Sequence, residues 1–361
     1  MRFALVVGCL IVAALPLSAE PLKTYDGKHD ISTIQLTVVY FVPKDRTPLP
    51  DWRERVDYFV KRIATFHERE FDGESRLKIT VHPKPLVPEK VTADLRKGTD
   101  GDFTFFRTMD AVKTTLPWKP DTSAGFPILL VMSDMNMQDL DDFRRERMQD
   151  GKPVHEGNLS RSGRHFPGSA LGGARATYIA KEGYGMGLVS ADGWRVPYSG
   201  SDCVVYHEGL GHTIGLPHPN PGDDSVMGTA QYKNWIAQSY LNTEQKRKLG
   251  WKPKPGPDTP TDLFSQFVAL PTSHVPKVGE PVTLALTWPK DAKARSLTVR
   301  TQTDLWGPWI SQSVVLTEPA PTRIPIGSFD RPTPVSYRVD AVLENGQSAE
   351  VWGYFQVKAV K

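Results

Sequence analysis

Three of the nine histidines in this 361-residue chain fall within the run His207-Glu208-Gly209-Leu210-Gly211-His212-Thr213-Ile214-Gly215-Leu216-Pro217-His218. Whatever the chain folds into must deal with that concentration of imidazole. Neutral imidazole nitrogens ligate zinc, and three protein ligands with an open fourth position is the catalytic form of such a site. The run therefore predicts a Zn²⁺ site held by His207, His212 and His218. The spacing dictates local structure. In a regular helix five residues turn about 500°, which leaves His207 and His212 about 140° apart and unable to share an ion. One extra residue taken up as a π-bulge brings them together. Gly209 and Gly211 make such a turn easier, each costing roughly 1 kcal/mol of helix propensity. Gly215 suits a left-handed helix stop and Pro217 blocks continuation, so His218 should return from a loop.

Glu208, next to a ligand, is placed to take a proton from water that zinc acidifies to a pKa of roughly 7. Another ligand set stays open. Glu208 and His212 stand at i and i+4, so they can ligate together with His218, leaving His207 outside and removing the general base. Cys203, four residues before His207, reads as a small buried hydrophobe, because a fourth protein ligand closes the site.

With Ser225-Val226-Met227-Gly228 following it, the pattern His207-Glu208, His212-Thr-Ile-Gly215-Leu-Pro-His218 resembles the metzincin zinc peptidases, whose signature is H-E-x-x-H-x-x-G-x-x-H and a Met-turn. The additional residue between the first two histidines resembles the H-E-x-x-x-H helix of dipeptidyl peptidase III. The resemblance implies a zincin fold, Glu208 as general base, Met227 as an apolar floor below the metal, and a protein or peptide substrate. It also places the strand Leu171–Ile179, just ahead of the zinc helix, at the upper edge of the cleft.

Residues 1–19, an apolar run from Phe3 to Leu17 ending Leu17-Ser18-Ala19, predict a secretory signal peptide, and hence a secreted protein, extracellular or periplasmic. Val6-Val7-Gly8-Cys9 formally fits a lipoprotein box, but too few apolar residues precede Cys9. The run is too short to span a membrane. Cleavage removes one of the two cysteines, so Cys203 has no disulfide partner and the chain must be held by its cores. The formal charge of +3 excludes a polybasic field for nucleic acid.

The expected fold class is α+β: a zincin/metzincin-like catalytic domain over 20–250 with a mixed sheet and an active-site helix, a Pro-rich linker at 251–261, and a smaller all-β sandwich over 262–361. Ile34–Val42, Leu77–Val81 and Phe126–Val131 read as strands, and 51–71 as an amphipathic helix opened by an Asp51/Glu54 capping box. A short helix is expected near 104–116 and another at 243–249 stopped by Gly250. Ser201 or Asp202 should cap the zinc helix. Residues 134–168 are polar; 141–147 could be helix or loop, and His155-Glu156-Gly157 reads as loop. Asp100-Gly-Asp102 is too weak a pattern to argue calcium.

In the tail, alternating strands and the Asn345-Gly346 turn resemble a fibronectin type III or immunoglobulin-like module. Trp306 and Trp309 are either loop and core aromatics or a carbohydrate platform, so glycan or cell-surface contact through this domain stays open. Tyr232 and Tyr240 are candidate oxyanion partners, with packing as the simpler role. The reading is a secreted zinc endopeptidase. Its alternatives are a zinc hydrolase of a non-peptide amide or ester, and a surface-binding protein with a degenerate metal site.

Overall fold

In the computed structural model, residues 20–97, 101–137, 145–149, 152–156, 173–230, 235–254, 260–316 and 318–358 are described. The predicted signal segment, Tyr232 and Asp100 lie outside them.

The N-terminal part is built on a mixed five-stranded sheet. Its strands are β1 (Thr33–Phe41), β2 (Arg76–Val81), β3 (Phe126–Ser133), β6 (Ala174–Ile179) and β7 (Tyr184–Val189), ordered β2-β1-β3-β7-β6. The first four in that order run parallel, and β6 closes the edge antiparallel to β7. A hairpin of β4 (Arg145–Gln149) and β5 (Lys152–Glu156) stands apart from it. This corrects the helix-or-loop expectation for 141–147 where it is described, and puts His155 and Glu156 in a strand.

Helices cover both faces of the sheet, so its central strands are apolar on both sides. Leu36, Val38 and Tyr40 of β1, with Ile128, Leu130 and Met132 of β3, pack under α1 (Trp52–Glu70) and α5 (Ser201–Tyr206). Val39, Phe41, Leu129 and Val131 point the opposite way, toward α3 (Gly101–Thr115). Short helices α2 (Thr92–Leu95), α4 (Ala191–Trp194), α6 (Thr243–Lys248) and α7 (Leu263–Gln266) complete the helical set.

Strand β7, Tyr184-Gly-Met-Gly-Leu-Val, was not among the expected strands. The structure explains its glycines. Met186 and Leu188 face α3, while Gly185 and Gly187 face the turns that follow α5. A Cβ on Gly185 would stand 2.5 Å from Thr213, and one on Gly187 would meet the Glu208 carbonyl and lie 3.0 Å from the Gly209 Cα. The glycines let backbone approach backbone.

The C-terminal part has two antiparallel sheets around one apolar core. One is ordered β11-β10-β13-β14, from β10 (Ala294–Gln302), β11 (Ile310–Ser313), β13 (Thr333–Leu343) and β14 (Ser348–Val357). The other is β12-β9-β8, from β8 (Val268–Pro271), β9 (Val282–Thr287) and β12 (Arg323–Gly327). Together with the N-terminal part this makes an α+β protein.

These sheets are fixed to α1. Trp352 of β14 is fully buried in the N-terminal core, and its backbone N–H reaches the Tyr58 hydroxyl at 3.3 Å. Arg55, wholly buried, donates to the Arg195 carbonyl at 2.6 Å, to Gln302 at 2.7 Å and to both oxygens of Asp51. Glu54 pairs with Arg338 of β13. The capping box is therefore absent: Asp51 sits at the N-cap position without a side-chain cap bond, because its carboxylate serves Arg55 and, at 2.8 Å, the Trp309 indole. Trp309 also packs edge-on against Trp352, with ring centroids 5.0 Å apart. It is an interface residue and no platform.

Candidate metal centre

The segment carrying the histidines changes helical pitch twice. Helix α5 runs to Tyr206, residues His207–Gly211 form one π turn, and His212–Ile214 form a 3₁₀ turn. Gly215 ends the run at φ +87°, a left-handed conformation that a side chain disfavours. The widened turn does what the five-residue spacing requires, swinging His212 round to the side of His207. After Pro217 the loop returns His218 to the same point.

The three Nε2 atoms form a nearly equilateral triangle. The separations are 2.9 Å between His207 and His212, 3.0 Å between His212 and His218, and 3.0 Å between His218 and His207. Second partners fix the rings. His207 Nδ1 lies 3.1 Å from the Val226 carbonyl and His212 Nδ1 lies 2.7 Å from the Leu216 carbonyl. A carbonyl only accepts, so each Nδ1 carries the proton and each Nε2 keeps its lone pair. Two lone pairs thus face each other across 2.9 Å, and no hydrogen bond can reconcile them. A cation can. Ligands about 2.0–2.1 Å from a tetrahedral ion stand about 3.3 Å apart, within a few tenths of the spacing here. The donor set fits a divalent metal, and all-nitrogen ligation suits zinc among several transition metals.

Protonation does not compete for the His207 nitrogen near neutrality. Burial, with the neighbouring imidazoles, pushes His207 down to about 3, and burial likewise lowers His212. His207 is buried, His212 half-buried and His218 exposed, so the group opens to solvent on one side. Among the described residues, these three are the His, Cys, Asp and Glu side chains whose ligand atoms converge within 4.8 Å. The Glu208 carboxylate is not in that group, so the geometry assembles the three-histidine set and not the one built on Glu208.

Glu208 is half-buried beside the centre. Burial raises its pKa to about 7, opposed by the positive charge of Arg175 on β6. A carboxyl poised there can accept and return a proton at neutral pH. Arg175 was not singled out from sequence; only the pairing of β6 with β7 places it near Glu208.

The segment 225–228 forms the wall behind the first ligand. Gly228 N–H donates to the Ser225 carbonyl at 2.9 Å, closing a tight turn, and Val226 presents its carbonyl to His207. Met227 is fully buried, and its sulfur packs where a Cβ on Gly211 would lie. Gly211 is thus needed for contact with Met227 as well as for the π turn.

Neither Ser201 nor Asp202 is the N-cap residue of α5, although Asp202 Oδ1 accepts from the first-turn Cys203 N–H at 3.0 Å. Gly200, at φ +103°, is the N-cap residue. Ser201 Oγ turns back to Tyr198, and the buried Asp202 carboxylate is taken by Arg62 at 2.5 Å and by the Ile236 N–H at 2.9 Å. Asp202 also ties the histidine-bearing helix to α1. Arg62 in turn donates to the Glu350 carbonyl of β14 at 3.0 Å. Cys203 is buried, its thiol pushed well up by desolvation. Tyr240 is half-exposed, and its carbonyl accepts from the Val226 N–H at 2.9 Å, a backbone role at the tight turn.

No protein-family model and no curated protein matches this chain. Among solved structures it is similar to wild-type OgpA from Akkermansia muciniphila in two crystal forms. These match at 14% identity with TM-scores of 0.35 and 0.34, covering 97% and 98% of this chain and 98% and 99% of those chains. A catalytically inactive OgpA in complex with an O-glycopeptide, glycodrosocin, matches at 13% identity and a TM-score of 0.31, covering 98% of this chain and 99% of that one.

Proposed function

We propose that this chain is a secreted zinc-dependent endopeptidase of metzincin type, with a C-terminal module of the fibronectin type III or immunoglobulin-like kind. The reading rests first on the convergence of three Nε2 atoms, two of which, on His207 and His212, are left with inward-facing lone pairs by the carbonyl partners of their Nδ1 atoms. His207, His212 and His218 would hold the ion, which supplies a Lewis acid able to polarise a carbonyl and acidify water. Glu208 takes the proton from water and passes it to the leaving amine, work for which a carboxyl held near pH 7 is matched. Arg175 tempers that value from the neighbouring strand, so the proton returns readily once transferred.

A specific observation favours a peptide over a non-peptide amide or ester. Among the described strands β6 pairs only with β7, which makes it the edge of the sheet beside the π turn. Such an edge accepts an extended peptide as an added strand. A folded, rigid small molecule makes no use of it.

The test is a chelator-controlled cleavage assay on unmodified peptides and on an O-glycopeptide of the kind bound to OgpA, using wild type and Glu208→Gln. The reading expects metal-dependent cleavage by wild type. The variant should retain its metal and lose activity by about 10²-fold or more. Full activity in Glu208→Gln, or cleavage indifferent to chelator, would overturn it.

A further inference from the structure

We propose that the junction between the two parts of the molecule carries a second binding site, for a neutral saccharide, with Trp306 as its stacking face. It makes no use of the metal centre. A cavity of about 490 Å³ opens there, lined by Arg46, Thr47, Asp134 and Arg195 from the N-terminal part and by Asp304 and Trp306 from the loop between β10 and β11. It lies at the carboxyl ends of β1 and β3, where the Asp134 N–H donates to the Phe41 carbonyl at 2.8 Å. Crevices outside the carboxyl ends of parallel strands are where open α/β sheets bind ligands, and the volume is in the range of small-molecule sites.

The loop that bears Trp306 is anchored on both sides. Leu305 is fully buried in a cluster with Leu49, Val196, Tyr198 and Tyr354, and Trp309 is bonded to Asp51. The Trp306 N–H donates to Asp304 Oδ1 at 3.0 Å, and the Gly307 carbonyl accepts from Gln302 at 2.8 Å. Between these anchors Trp306 stays 41% exposed. An indole on an anchored loop at the mouth of a cavity lined by charged side chains offers an apolar face with a polar edge, and its two side-chain torsions leave little entropy to lose on binding.

Charge selects the ligand class. Two guanidinium groups and two carboxylates line the cavity, so formal charge cancels and neither an anion nor a cation is favoured. Asp134 and Arg195 are buried and already face each other at 4.0 Å, and Asp134 also accepts from the Tyr40 hydroxyl at 3.1 Å. A preorganised, balanced set of planar donors and acceptors beside an aromatic face suits a ring that has apolar C–H on one side and hydroxyls around its rim. That describes a neutral sugar.

The intact chain is to be titrated with methyl glycosides of neutral hexoses and N-acetylhexosamines and with their disaccharides, read by saturation-transfer NMR, with inorganic phosphate as the anionic control. At least one saccharide is expected to bind saturably and phosphate not to bind. Trp306→Ala should weaken that binding about tenfold and Trp306→Phe by less. Thr47→Trp, at an exposed cavity-lining position, should block it without touching either core. Absence of saccharide binding, preference for phosphate, or binding indifferent to both Trp306→Ala and Thr47→Trp would overturn the proposal.

Discussion

At the scale of single residues, two buried histidines make this protein sensitive to acid. One is His207; the other is His67 of α1, whose Nε2 lies 2.7 Å from the Ser75 hydroxyl and whose Nδ1 lies 3.0 Å from the Tyr206 hydroxyl. Ser75 gives its own proton to the Ile31 carbonyl, so His67 must donate to Ser75 and accept from Tyr206. One neutral tautomer satisfies the whole chain of bonds. Burial pushes the His67 pKa down to about 3, against about 6.5 for an unperturbed imidazole. The unfolded chain therefore takes up this proton first. The stability it contributes is complete above about pH 6.5 and is lost as pH falls toward 3, at up to about 1.4 kcal/mol per pH unit. Denaturant unfolding of the zinc-free protein between about pH 6.5 and 5, above the range of ordinary carboxylates, should show this slope. His67→Gln should flatten it by the share of one proton; an unchanged slope would contradict the account. From sequence, His67 was invisible, because nothing local announces a hydroxyl on either side of a ring.

At the scale of elements, the histidine run forms as it does because three other pieces of chain press on it. Strand β7 approaches through Gly185 and Gly187, the 225–228 turn contributes Val226 and Met227, and the first described segment holds the end of the run. In that segment the Tyr25 N–H donates to the Ile214 carbonyl at 3.0 Å and the Lys23 N–H to the Leu249 carbonyl at 2.8 Å. The Tyr178 hydroxyl of β6 bonds Asp26 at 2.9 Å and Thr24 at 3.1 Å. Residues 22–29 thus tie the 3₁₀ turn to the edge strand. A chain starting at Asp30 should fold with a loosened His212–His218 loop and bind zinc about tenfold more weakly, as loss of supporting contacts does elsewhere. A competition titration with a chromophoric chelator measures this, and unaltered affinity would refute it. The need for a π turn was legible in the sequence, since five-residue spacing admits little else. Strand β7 was not legible, because glycines that serve close approach look like turn glycines until the neighbouring backbone is known. The hairpin β4–β5 was hidden by its charge, which resembles that of a solvated loop.

At the scale of the whole molecule, the expectation of a tail set off by a proline-rich spacer meets a continuous interface. Residues 255–259 lie outside the described chain, but the sheets beyond them share Trp352 and the buried Arg55 and Arg62 with α1. Parting the two halves would break the hydrogen bonds from Arg55 to Gln302 and from Arg62 to the Glu350 carbonyl, at about 1.5–3 kcal/mol each, and would uncover Trp352. Calorimetry should accordingly record one cooperative unfolding transition, and two separable transitions would contradict this. Net charge and composition gave no hint of the coupling, since aromatic and arginine residues on a strand look the same at an interface as on a surface. Through Arg62 and Asp202 the interface also braces the first turn of α5, so the β-rich part supports the geometry at His207. That geometry is the heart of the account. Its most direct test is metal content and X-ray absorption on the intact chain after equilibration with zinc. The account predicts one zinc per chain with three imidazole nitrogens and a further light-atom ligand at about 2.0–2.1 Å, lost in a His212→Ala variant. Zinc-free protein at equimolar metal, or a shell with fewer than three imidazoles, would contradict it.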